Sequence, residues 1–149
     1  MSGCILHVLG ESFDPESYLN ATGLLVYESF RRGEQRFPVR DGQKPRQYKY
    51  GGFKCEVSSK GGDNFPGQVD DAIDFLKRNK QTLLSLQSCP SVETKTLDFG
   101  LDLRIMDHNH AQFDYLPPKL LLLCGQLGIG IEMSIYPLDR SSFQKVKMT

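Results

Sequence analysis

The sequence predicts an α+β domain: a largely antiparallel sheet of ferredoxin-like or split-βαβ type, with helices on one face. Three observations point there. Strands and helices read as β-α-β-α-β-α-β along the chain. At least two strands carry one apolar and one polar face, the pattern of a sheet packed on one side and wet on the other. The 149 residues, 39% hydrophobic and 24% charged, suffice for one core and fall short of two typical domains. Residues 1–138 are expected to form that single domain and 139–149 a C-terminal tail.

Residues 3–10, Gly-Cys-Ile-Leu-His-Val-Leu-Gly, read as a first strand ended by Gly10. Its facing is open, because Ile5, His7 and Leu9 compete with Cys4, Leu6 and Val8. Asp14-Pro15-Glu16 then opens a short helix. Asp14 can accept from free N–H groups, Pro15 has no N–H to leave unpaired, and Gly23 is a stop. Residues 24–47 read as irregular and basic, with Arg31, Arg32, Arg36, Arg40, Lys44 and Arg46 against Glu28, Glu34 and Asp41. So long a connection is functional, disordered, or hides an element.

Residues 48–58 read as a second strand in which Phe53, Cys55 and Val57 alternate with Lys54, Glu56 and Ser58. Gly51-Gly52 within it suggests a bulge or sharp bend. After the Lys60-Gly61-Gly62-Asp63-Asn64 loop, Val69, Ala72, Ile73, Leu76, Leu83 and Leu86 recur at helical spacing and predict one long helix over about 68–87. Acids early on it and bases later suit the helix dipole. In the third strand Leu97, Phe99, Leu101, Leu103 and Ile105 point one way, and Asp98, Gly100, Asp102 and Arg104 the other. A helix over about 117–127 ends at Gly128, and a last strand covers 129–136.

Lys+Arg 18 against Asp+Glu 18 leaves no net charge to draw the whole molecule to nucleic acid or an acidic membrane. The N-terminus has no signal-peptide pattern, and no apolar run is long enough to span a bilayer. A cytoplasmic protein is expected. Cys4, Cys55, Cys89 and Cys124 lie far apart, with no zinc spacing, and read as reduced thiols packed in apolar surroundings.

No catalytic set, cofactor motif or metal site is read. Asp107-His108-Asn109-His110 is the most metal-like cluster, but further ligands are not evident nearby, and a solvated turn is the simpler reading. Asp98, Asp102, Glu56 and Glu132 are expected on the open sheet face, with Arg104 and Lys54 as cross-strand partners. His7 reads as a hydrogen-bonded structural histidine. Lys60–Asn64 lacks the spacing of a phosphate loop, and Asp63 would repel an anion. Arginines mixed with Phe30, Phe37, Tyr48 and Tyr50 resemble a single-strand nucleic-acid surface, yet Asp98 and Asp102 on the open face oppose phosphate.

The first strand ending in Gly10, Phe13-Asp14-Pro15-Glu16, the Gly-containing basic loop, the long helix with Leu83 and Leu86, and Leu127-Gly128-Ile129-Gly130-Ile131 running into Ile135-Tyr136 form a recognisable series. Over roughly residues 4–138 the chain resembles the bacterial family of domains of unknown function numbered 4279. The resemblance implies a small intracellular bacterial protein with a plaits-like fold and supplies no catalytic residues. Family members often carry a Trp in the second strand; here Tyr48 or Tyr50 stands in its place.

The expected function is a non-enzymatic protein-interaction domain. By analogy, it would be an immunity or antitoxin-type inhibitor of a bacterial toxin. Arg31, Arg32, Arg36, Arg40, Tyr48, Asp98, Asp102 and Glu132 are the expected partner-binding residues. The alternative is a small-ligand or metabolite-binding domain using the groove between loop 24–47 and the sheet.

Overall fold

The structure, a computed structural model, describes residues 3–138. The expected tail, 139–149, lies outside the described residues. The elements are β1 (Gly3–Gly10), α1 (Pro15–Thr22), β2 (Glu28–Phe30), β3 (Gly51–Ser58), α2 (Phe65–Arg78), α3 (Lys80–Leu84), a 3-10 turn (Ser85–Ser88), β4 (Thr94–Asp102), α4 (Pro118–Leu127) and β5 (Gly130–Tyr136). The fold is α+β, with one five-stranded sheet in the order β2-β3-β1-β4-β5.

The sheet is largely antiparallel, as expected, but mixed, which corrects a purely antiparallel reading. The β1–β3, β1–β4 and β2–β3 pairs are antiparallel, but β4 and β5 run parallel. The reason is the connection: α4 carries the chain back to the end where β4 began, so β5 starts in the same direction. No strand lies between β4 and β5, so this βαβ unit is not split. β2 falls within the stretch expected to be irregular, because three residues with one buried Phe carry no readable period.

The first strand's facing is resolved. Cys4, Leu6 and Val8 are buried among the helices, whereas Ile5, His7 and Leu9 are half-buried on the opposite face. Directly opposed residues share a face, so Val8 aligns with Phe53 and Cys4 with Phe99. Phe13 and Tyr18 pack on Phe53, and Phe65 meets Phe99 edge-on. Leu120, Cys124 and Leu127 bring α4 into the same core. The helices therefore cover one face and leave the other open.

Helix α1 follows its sequence signals. Asp14 accepts from the Glu16 N–H and the Ser17 hydroxyl, and Gly23 closes the helix at φ 70°, where a side chain would be strained. The single long helix expected over 68–87 is instead α2, a break, and α3. Asn79 breaks it: its side-chain amide and backbone N–H both donate to the Phe75 carbonyl. The apolar stripe continues across the break, with Leu76, Leu83 and Leu86 all buried.

Gly51-Gly52 marks close packing rather than the expected bulge. Both pair in regular register with Gly10 and Leu9. A Cβ on Gly51 would strike the Phe13 carbonyl, and one on Gly52 the Val8 carbonyl. The register shift lies at the other end, opposite Cys4/Ile5. It turns Ser58 inward to donate to Asp71 and leaves Val57 half-buried. The third strand begins and ends three residues before its expected limits, leaving Ile105 50% exposed.

Candidate functional site

The open sheet face divides into two halves. On the β4–β5 side Asp98 lies beside Glu132 in register, and Ser134 donates to Asp98 at 2.6 Å. On the β2–β3 side the segment that reads as an irregular loop arches over the sheet as a paired ribbon. The Gly33 N–H donates to the Tyr48 carbonyl (2.8 Å), the Tyr48 N–H to the Glu34 carbonyl (2.9 Å) and the Arg36 N–H to the Arg46 carbonyl (2.7 Å). Gln35 and Gln47 form an antiparallel bridge, and Gly42 turns the tip at φ 75°. Residues 31–47 are thus a finger, every residue of it exposed.

The finger is anchored at its base. Phe30 is buried on the open face, and Tyr48 stacks on it with ring centres 4.2 Å apart and planes 11° from parallel. The Arg36 guanidinium lies over Tyr48, 5.3 Å from the ring centre. The Tyr48 hydroxyl donates to Glu28 at 2.8 Å, and Lys54 pairs with the same carboxylate at 3.0 Å. Burial pushes the Glu28 carboxyl up, but the hydrogen bonds from Lys54 and Tyr48 outweigh it and hold the group below its ordinary value.

Between finger and sheet lies a groove of about 630 Å³. His7, Leu9, Phe30 and Lys54 come from the sheet, Arg36, Arg46, Gln47 and Tyr48 from the ribbon, and Lys49 and Tyr50 from the connection to β3. His7 sits 3.9 Å from Asp98. Burial pushes its imidazole below the ordinary value, with Asp98 opposing and Lys54 adding to the shift. Its neutral form is the one the fold favours.

The eight expected partner-binding residues do not form one surface. Arg36 and Tyr48 meet in the groove. Arg40 stands at the finger tip beside Phe37, Val39 and Lys44. Arg31 pairs with Glu16 and Arg32 with Glu11 at 2.9 Å, tying the finger's first residues back toward α1. Asp98 and Glu132 occupy the other half of the open face, and Asp102 ends β4, where its N–H donates to the Gly62 carbonyl. The expected cross-strand neutralisation of these carboxylates is also corrected. Lys54 pairs with Glu28, and Arg104 lies past the strand end, bound to Asp114 at 2.6 Å.

His7, Phe30, Arg46, Lys49 and Lys54 were not singled out as groove residues from sequence. The Gln35/Gln47 pairing about the Asp41-Gly42 turn was the available signal. His108 and His110 stand exposed around the Met106–Asn109 bridge. Among the described residues no group of three or more His, Cys, Asp or Glu is placed to hold a metal ion. Cys4, Cys55 and Cys124 are free and buried, and burial raises the Cys55 and Cys124 thiols to about 11. Among the described residues no helix is long and apolar enough to cross a membrane.

A family model described as Domain of unknown function (DUF4279) matches residues 1–138. No curated protein and no solved structure matches the chain. The family match spans nearly the whole sequence, and the protein belongs to the DUF4279 family.

Proposed function

We propose that the protein is a non-enzymatic interaction domain that grips an acidic protein surface with the finger 31–47. One observation carries this reading. Seventeen consecutive exposed residues project as a ribbon paired at its base. Beyond Arg31 and Arg32, which pair back to Glu16 and Glu11, it carries Arg36, Arg40, Lys44 and Arg46 against Glu34 and Asp41. Phe37, 77% exposed, sits among Arg40, Lys44 and Val39 at the tip. An aromatic anchor ringed by basic side chains is the composition of an interface hot spot, and its charge would speed encounter with an acidic partner. Because backbone pairing already holds the base of the finger, binding would have only the tip left to order.

By analogy, an immunity or antitoxin-type inhibitor that plugs a toxin's active site would use such a projection. Four free cysteines support a reducing, cytoplasmic setting. Asp98 and Glu132 on the sheet face weigh against a nucleic-acid partner, whose phosphates they would repel.

The test is capture of partners from native lysate by wild type and by Arg40→Glu/Lys44→Glu, with mass spectrometry and a salt series. A stoichiometric acidic partner, released by salt and absent from the variant's eluate, is expected. A partner held equally by both, or no stoichiometric partner, would overturn the reading.

A further inference from the structure

We infer that the groove at the base of the finger is a binding site for a small organic oxyanion, carboxylate or phosphate, held between Arg36 and Arg46. The inference does not rest on partner binding at the finger tip.

The Arg36 N–H donates to the Arg46 carbonyl beside the Gln35–Gln47 bridge, so these two arginines oppose each other across the ribbon and share a face. Like charges directly opposed in a paired ribbon destabilise it. No carboxylate of the described residues pairs with either one or with Lys49. The acid within the groove's surroundings, Glu28, already accepts from Lys54 and Tyr48. The groove therefore concentrates Arg36, Arg46 and Lys49 with no carboxylate of the described residues in contact with them. Glu28 acts on Arg36 only at a distance, and an anion between the two guanidiniums would supply the missing direct partner.

The geometry is also set in advance. Tyr48, stacked on Phe30, has the Arg36 guanidinium over its ring, which places that cation at the groove before any ligand arrives. A guanidinium fork suits a carboxylate or phosphate, whose two oxygens it can bind side by side. The volume of about 630 Å³ exceeds what a bare anion needs and is in the range of small-molecule sites. Leu9, Phe30 and Tyr50 line the remaining space and would cover a carbon skeleton. The half-buried His7 and Lys54 lie on the floor, where each can donate a further hydrogen bond.

The experiment is a two-dimensional NMR titration of the full chain with inorganic phosphate and, separately, malonate, at constant ionic strength. Saturable shifts of the Gln35, Arg36, Gln47 and Tyr48 amides and of the His7 ring are expected with at least one probe. Preference between the two separates a phosphate ligand from a carboxylate one. Arg36→Ala and Arg46→Ala should each weaken binding about tenfold, the worth of one charge-assisted contact. Arg36→Lys, keeping charge and losing the fork, should fall between. Arg40→Ala/Lys44→Ala at the tip should bind as wild type does, with unchanged amide dispersion reporting an intact fold in every variant. No saturation with either probe, or equal weakening by the groove and tip variants, would overturn the inference.

Discussion

The centre of the sheet and the finger show two ways of holding a chain in place. Along β1 and β4, alternate side chains are buried: Cys4, Leu6 and Val8, then Leu97, Phe99 and Leu101. Over residues 31–47 no side chain is buried, and the backbone is held by three cross-ribbon hydrogen bonds and the Gln35–Gln47 bridge near its base. Apolar area removed from water stabilises the first region. The second is held by a short hydrogen-bond ladder and one aromatic stack at its root. Side chains in the first region cannot change without disturbing the fold, whereas those in the second are free to serve binding.

That contrast is open to attack at its strongest point first. Phe53→Ala empties the space where Phe13 and Tyr18 converge and should cost about 4 kcal/mol in urea unfolding. A cost under about 1 kcal/mol would mean the sheet centre is not the stabilising region. Gly52→Ala sets a methyl group against the Val8 carbonyl and the Leu9 side chain, and should cost about 2 kcal/mol with no charge altered.

Tyr48→Ala should cost only about 1 kcal/mol of global stability, the worth of an aromatic pair. It should, however, speed hydrogen exchange at the Gly33, Arg36 and Tyr48 amides far more than at β1. Uniform acceleration across both regions would erase the distinction between them.

A pH series sharpens the boundary, because His7 lies between the regions and faces Asp98, Lys54, Glu132 and Glu28. Its folded pKa lies below the ordinary 6.5, so the unfolded chain takes up the proton first. The stability owed to neutral His7 is complete above pH 6.5 and is lost as pH falls from there through the folded value. In His7→Gln that part of the decline should disappear, as read from urea midpoints across the window. The smallest effect is expected at the tip: Arg40→Glu/Lys44→Glu should change stability by less than about 0.5 kcal/mol while abolishing partner capture.

Local chemistry was legible wherever a residue type has one structural use. Asp14-Pro15 and Gly23 bounded α1 because a cap acceptor, a residue without N–H and a left-handed stop each act within a few residues. The stripe from Val69 to Leu86 was readable, but the break at Asn79 was not, since Asn is compatible with both a helix and its end. Gly51-Gly52 signalled something unusual in the strand. Only the approach of the Phe13 and Val8 carbonyls distinguished close packing from a bulge. Arg36 and Tyr48 could be chosen by type as binding residues, but their stacking depended on Phe30, which lies in a strand too short to read.

The sequence by itself determined an α+β chain, the apolar face of β4 through Leu97, Phe99 and Leu101, the limits of α1 and the basic character of residues 31–46, because period, capping and charge are local properties. Tertiary structure alone decided that β5 runs parallel to β4, since an alternating strand looks the same whichever way its neighbour points. It alone also made a finger of residues 31–47 and a groove beneath it. A ribbon paired through its backbone buries no side chain, so it leaves no hydrophobic period in the sequence.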